Sequence, residues 1–278
     1  MPLSQTSYGK SRIRLVQVSR RGDRHELRDL TVAVRFEGEY DTSYTEGDNS
    51  NVLPTDTMKN TVYALAARER VREPESFGVV LGRHFLDRNP RLRTVHVEVV
   101  EHGWGHIPIG DREHGQSFVR RGPESRTARV MTDAQDTAIT SGVADLVILK
   151  SSRSAFAGFP RDEFTTLPET QDRLLATSLT SYWTYRSEEV DFGPSWRAVR
   201  AALLEAFANH DSLSVQHTLH AMGQAVLETV DAVQSITLVM PNRHHLPVDL
   251  SKFGLENRNE IFVATEEPHG LIEATLSR

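Results

Sequence analysis

The side chains suited to acid–base and binding chemistry are scattered along 278 residues rather than gathered in one motif. Twelve histidines raise the question of a metal. His102 and His106 flank Gly-Trp-Gly, His217 and His220 stand three apart, and His244 and His245 are adjacent. The glycines argue against the helix that would put His102 and His106 on one face, and no acidic third ligand stands near His217 and His220. Spacing therefore favours scattered histidines over a metal site. Thr55-Asp56 and Ser214-Val215-Gln216 have the composition of helix starts. Free N–H groups and the helix dipole accommodate an anion there, although simple capping is the commoner use. Arg173 can pair with an anion or belong to a surface salt bridge near Asp172. Phe156, set among small residues, offers a stacking face or ordinary core packing. Lys10, Asn242 and His244 name no reaction singly.

Such residues need elements to hold them, and periodicity supplies the elements. Leu30, Val32, Val34 and Phe36 alternate as in a half-buried strand, Ser11–Ser19 reads as a strand before it, and Arg21-Gly22-Asp23 as the turn between. Met58, Val62 and Leu65 share a helical face after Thr55-Asp56, and Phe77, Leu81 and Phe85 share another from Pro74. Val95, Val97 and Val99 return to strand spacing, followed by a strand pair around Ser117–Arg120 and Arg126–Val130. The second half repeats this order. Leu146–Leu149 and Leu175–Tyr185 read as strands. Trp196, Val199, Leu203 and Phe207, then Val215, Leu219, Met222 and Val226, mark two helices. Leu246–Leu250, Ile261–Val263 and Leu271–Leu276 close the chain as strands. The pattern is strand–strand–helix–helix–strand–strand, twice. Consecutive strands suit antiparallel pairing, with helices on one face, so the fold class is α+β in two tandem domains. The polar, aperiodic segment Thr132–Ser141 separates them, giving domains 1–136 and 137–278. A sheet covered on one face leaves open edges, and closure through oligomerisation is the expected remedy.

Composition narrows the function classes. Thirty-two basic against 38 acidic residues leave a formal charge of −6, a poor basis for nucleic acid or an anionic membrane. The absence of cysteine removes disulfides, thiolate metal sites and a cysteine nucleophile. Mean hydropathy is −0.42, no window approaches about 18 apolar residues, and the first ten residues lack the apolar core of a signal peptide. A cytoplasmic protein is expected.

Read together, several segments resemble urate oxidase, the uricase family. They are Tyr8-Gly9-Lys10, Thr55-Asp56-Thr57-Met58-Lys59-Asn60-Thr61, Gly158-Phe159-Pro160-Arg161-Asp162-Glu163-Phe164-Thr165-Thr166-Leu167, Glu169–Arg173, Ser214-Val215-Gln216, Pro241-Asn242-Arg243-His244-His245 and Gly270–Thr275. They run in order from about residue 8 to 276. The resemblance implies tandem tunnelling-fold domains whose sheets close into a barrel in a homotetramer. It implies oxidation of urate by O2 and water to 5-hydroxyisourate and hydrogen peroxide, with no metal or organic cofactor.

By position, Lys10, Thr55 and His244 match the family's proton-relay triad. Arg173 and Gln216 match the pair gripping the urate edge, and Phe156 the ring on which urate stacks. Thr55, Asp56 and the main chain at Val215 match further contacts, and Asn242 the residue holding O2 or water above the ring. In the family Lys10, Thr55 and Asp56 would come from one subunit and the rest from another. The types fit the chemistry. A guanidinium and a carboxamide offer parallel hydrogen bonds to an anionic purine. Desolvation makes a lysine a base, and a histidine shuttles protons near neutral pH. Pro54 stands where a small residue is expected and restricts Leu53 to extended conformations, and Arg243 stands where lysine is familiar.

Overall fold

In the computed structural model, which describes residues 3–187, 189–265 and 267–278, the chain forms two compact units. One is Met1–Gly142 with Thr184–Gly193, the other Val143–Trp183 with Pro194–Arg278. The first unit holds β1 (Tyr8–Arg21), β2 (Arg24–Gly38), β3 (Leu92–Ile109) and β4 (Arg112–Asp133), neighbours in that order and antiparallel throughout. Because successive side chains alternate faces, Val32, Val34 and Phe36 meet Val99, Val97 and Val95 across the β2–β3 pairing. All six are buried. A one-turn helix, α1 (Thr42–Thr45), precedes α2 (Thr55–Glu69) and α3 (Pro74–Arg88). Met58, Val62 and Leu65 of α2 and Phe77, Leu81 and Phe85 of α3 join the same core. Each such side chain contributes about 1.5–3 kcal/mol when removed from water.

Under the start of α3 lies a buried polar network. Glu75 is fully buried, accepts from Arg126 Nη2 at 2.6 Å and from Ser141 Oγ at 2.5 Å. Ser141 Oγ in turn accepts from the Tyr185 hydroxyl at 2.7 Å. Arg126 also pairs with Glu73.

The strand β5 (Thr137–Lys150) begins in the first unit and ends in the second. It is followed by β6 (Leu175–Tyr185), α4 (Phe192–Asn209), α5 (Val215–Thr229), β7 (Val233–Arg243), β8 (His245–Pro247), β9 (Phe262–Ala264) and β10 (Gly270–Ser277). Strands β5, β6, β7 and β10 are neighbours in that order, while β8 and β9 form a separate antiparallel ribbon. Val199, Leu203 and Phe207 of α4 are buried, as are Val215, Leu219, Met222 and Val226 of α5. The antiparallel α+β character expected from the paired strands holds in both units. No helix among the described residues is long and apolar enough to cross a membrane.

Four local expectations change. The strand over Leu246–Leu250 is confined to β8, because Asp249 Oδ1 accepts both the N–H and the hydroxyl of Ser251 and turns the chain into a short 3₁₀ helix, Ser251–Phe253. A strand without any such expectation, β7, occupies Val233–Arg243. The two strands proposed around Ser117–Arg120 and Arg126–Val130 are one, β4, whose pairing with β3 shifts register between His102 and Trp104. The segment Thr132–Ser141 is two strand ends and a tight turn, in which Asp133 Oδ1 accepts the N–H groups of Gln135 and Asp136.

Candidate active site

The first unit carries Lys10, Thr55 and Asp56. Lys10 lies on β1, paired opposite Val34 just before a register shift between Lys10 and Ile13. Its neighbour Gly9 admits no side chain, since a Cβ there would stand 2.1 Å from the Val34 carbonyl oxygen. Lys10 is half-buried and lines a cavity of about 610 Å³ together with Tyr8, Arg35, His96 and Arg129. The Tyr8 ring packs edge-on against Phe36 and Tyr40, with centroids 5.7 and 4.8 Å away. Burial raises its pKa above the ordinary phenol value. The neutral hydroxyl oxygen accepts the Leu53 N–H at 3.0 Å. That bond ties the loop entering α2 to β1, and so ties Thr55 to the strand bearing Lys10.

Thr55 and Asp56 are the first two residues of α2 rather than its cap. The cap is Pro54, with φ −55° and ψ 135°, which offers no capping side chain; its fixed φ sets the entry angle and leaves Thr55 as the first helical residue. The exposed Asp56 carboxylate is held by Lys59 and, at 2.9 Å, by Asn60 Nδ2. The Lys59 hydrogen bond, then its charge, hold Asp56 below the usual carboxylate range, and the charge of Lys10 adds to this.

The second unit carries Phe156, Arg173, Val215, Gln216, Asn242 and His244. The segment around Phe156 is clamped on both sides. Phe156 and Thr170 exchange backbone hydrogen bonds of 2.8 and 3.0 Å, and Arg173 N–H donates to the Ser154 carbonyl at 2.8 Å. On the other side Ala155 N–H donates to Ser212 and Ser212 N–H to Arg153, which brings the entry to α5 alongside. Ser214 caps that helix, its hydroxyl accepting His217 N–H at 3.0 Å. Val215 is therefore the first residue of α5 and Gln216 the second, with main-chain N–H groups free of helical partners.

Arg173 is the electrostatic centre of this group. Its guanidinium carbon lies 5.2 Å from the Phe156 ring centre, and its Nε is buried without a hydrogen-bond partner. Burial lowers its pKa, with no carboxylate offsetting the effect. The carboxylate of Asp172 is instead engaged by Ser152 Oγ and Ser154 N–H, and among the described residues Arg173 forms no salt bridge. A desolvated cation beside a phenyl face is suited to a planar anion. Asn242 is the last residue but one of β7 and pairs with Gly270. His244 follows the strand, its carbonyl accepting from the N–H and hydroxyl of Thr265.

Several of the remaining histidines have local partners. His102 Nε2 meets Thr31 Oγ1 at 2.8 Å, His106 Nδ1 the His114 carbonyl at 2.7 Å, and His217 meets His210 rather than His220. Among the described residues no three His, Asp or Glu side chains cluster as metal ligands would. Two contributors escape sequence reasoning: Tyr8, whose hydroxyl anchors the α2 entry, and Phe159, stacked on Phe156 with centroids 4.9 Å apart. Both stand inside the motifs quoted above, but nothing in their spacing reveals the contact.

Paired antiparallel strands, with two helices inserted between the pairs, place the chain among the tandem tunnelling-fold proteins. It belongs to the uricase family: the family described as Uricase matches residues 6–131 and 139–273. The chain is 43% identical over 276 residues to the uricase of Arthrobacter globiformis, covering 99% of this chain and 90% of that one. It is 36% identical over 287 residues to the uricase of Aspergillus flavus, covering 98% and 95%. The crystal structure of the Arthrobacter globiformis uricase superposes with a TM-score of 0.95 at 42% identity, over 100% of this chain and 95% of that one. A uricase structure from Bacillus fastidious shares the fold, with a TM-score of 0.86 at 24% identity over 99% and 94%.

Proposed function

We propose that this chain oxidises urate with O2 and water to 5-hydroxyisourate and hydrogen peroxide. Family membership supports the reaction, and the observation that carries the site is Arg173: a partly buried guanidinium, unpaired at Nε, beside the Phe156 ring. Urate stacks on Phe156 while Arg173 and the Gln216 carboxamide bond its edge, helped by the N–H of Val215. Among the described residues the side chains of Lys10, Thr55, Gln216, Asn242 and His244 form no hydrogen bond within the chain, which leaves them for substrate.

In this reading Lys10 draws a proton from urate through the Thr55 hydroxyl, and His244 exchanges protons with the site. The more electron-rich anion then gives two electrons to O2, which Asn242 holds above the ring and which leaves as hydrogen peroxide. Water adds to the oxidised purine, completing urate + O2 + H2O → 5-hydroxyisourate + H2O2. Asp56 supplies a further contact to substrate. No metal or organic cofactor is assigned.

Each site is shared between copies of a homotetramer, one giving Lys10, Thr55 and Asp56 and another the remaining residues. The two catalytic halves correspond to domains 1–136 and 137–278. Cytoplasmic residence belongs to the same reading, and the cysteine-free composition fits a reducing compartment. The test is urate disappearance by ultraviolet absorbance on chelator-treated protein, with O2 and peroxide followed in the same sample. One O2 consumed and one peroxide formed per urate is the expected result; zinc-dependent turnover, or none at all, would overturn it.

A further inference from the structure

The ring assigned to stack on urate is itself stacked. Phe159 lies on Phe156 with centroids 4.9 Å apart and planes only 16° apart. A phenyl ring has two faces, so Phe159 closes one of them to any planar ligand. Arg161 extends the pile, its guanidinium carbon 5.4 Å from the Phe159 ring centre. The chain folds back to make this contact at Gly158, whose φ of +75° lies where glycine is favoured. The Gly158 N–H then donates to Glu169 Oε1 at 3.2 Å, beside the Phe156–Thr170 pairing. Both rings are half-buried, and a half-buried phenyl without a neighbour on one face is free to rock about its side-chain torsions.

We propose that Phe159 is a positioning residue for the substrate: it backs Phe156 and fixes the plane of the ring on which the purine stacks. The inference rests on Phe156 being the stacking ring of the proposed function. Its physical reason is geometric. Arg173 and Gln216 meet the purine edge in its own plane, and fixed donors reward only one tilt of the ligand. Tilt is set by Phe156, and the tilt of Phe156 by Phe159.

The experiment compares Phe156→Leu, Phe159→Leu, Phe159→Tyr and the double Leu variant. It measures xanthine binding, a planar purine lacking the 8-oxygen, and urate kinetics. Phe159→Leu is expected to weaken xanthine binding about 3- to 10-fold, the equivalent of one stacked aromatic pair. KM for urate should rise in parallel while kcat stays within about twofold, as for lost uniform binding. Phe159→Tyr should restore both, and the double variant should bind no worse than Phe156→Leu, because Phe159 acts through that ring. Parental binding by Phe159→Leu, or full additivity in the double variant, would overturn the inference and leave the stacking role of Phe156 standing. Parental binding by Phe156→Leu would overturn the stacking role itself, and this inference with it.

Discussion

Placing the Arg173 guanidinium beside Phe156 costs solvation that no carboxylate among its described neighbours offsets, and an anionic ligand is what restores the balance. Arg173→Ala is accordingly expected to weaken binding of urate and xanthine by about 2–4 kcal/mol, as for loss of one partner of a buried charged pair; unchanged affinity in a titration would remove Arg173 from the site. Lys10→Met should instead lower turnover by about 10²-fold or more while xanthine still binds, since a base is lost and the grip is kept. Equal losses in binding and turnover would contradict that division of labour. Histidines outside the proposed site residues report on pH. His84, His102 and His210 all have pKa values lowered, chiefly by burial. A base harder to protonate when folded lets the unfolded chain bind more protons below its ordinary pKa of about 6.5, so stability falls as pH drops through that value. The melting temperature should therefore decline between about pH 7.5 and 5.5, and His102→Gln, which keeps a partner for Thr31, should make the decline shallower.

At the level of elements, positions in the site are set by where strands and helices begin. Gly9 lets β1 run against β2 immediately before Lys10. Gly9→Ala must push β1 outward, so reduced turnover is expected together with a lower melting temperature; parental turnover would show that the close approach does not position Lys10. The helices were legible in the sequence because one face of each is buried at the 3.6-residue period, as Met58, Val62 and Leu65 are. Strand β2 was legible because only one of its faces is buried. Strand β7 blurred the alternation: Ile236, Thr237, Leu238 and Met240 are all buried, on both faces, and Pro241 resembles a stop. Leu246, Val248 and Leu250 show the reverse, a clean alternation at the surface, where Leu246 is 51% exposed. Of the proposed site, every residue except Phe156 lies within a motif in order along the chain. The pairing of Phe156 with Arg173, seventeen positions apart, and the backing by Phe159 were not legible, because loop geometry has no period to read.

For the whole molecule, the proposal that sites are shared between copies has a direct test. Lys10→Met and Arg173→Ala chains produced together should recover activity that neither shows alone, because about a quarter of randomly assembled sites would combine an intact Lys10 with an intact Arg173. Absence of recovery in verified mixed oligomers would rule out sharing. Within the first unit, Arg126→Ala would leave the fully buried Glu75 carboxylate without its cation, and should destabilise the fold by about 3–5 kcal/mol with site chemistry retained at low temperature. The same network has a bearing on biosynthesis. The hydroxyl that completes it belongs to Tyr185, more than forty positions beyond Ser141 in the chain. As the protein leaves the ribosome, the amino-terminal half therefore waits for this hydrogen-bonding partner until Val143–Trp183 of the following unit has emerged. Folding intermediates that form during translation should hold Ser141 and Glu75 in a looser, protease-sensitive state until then.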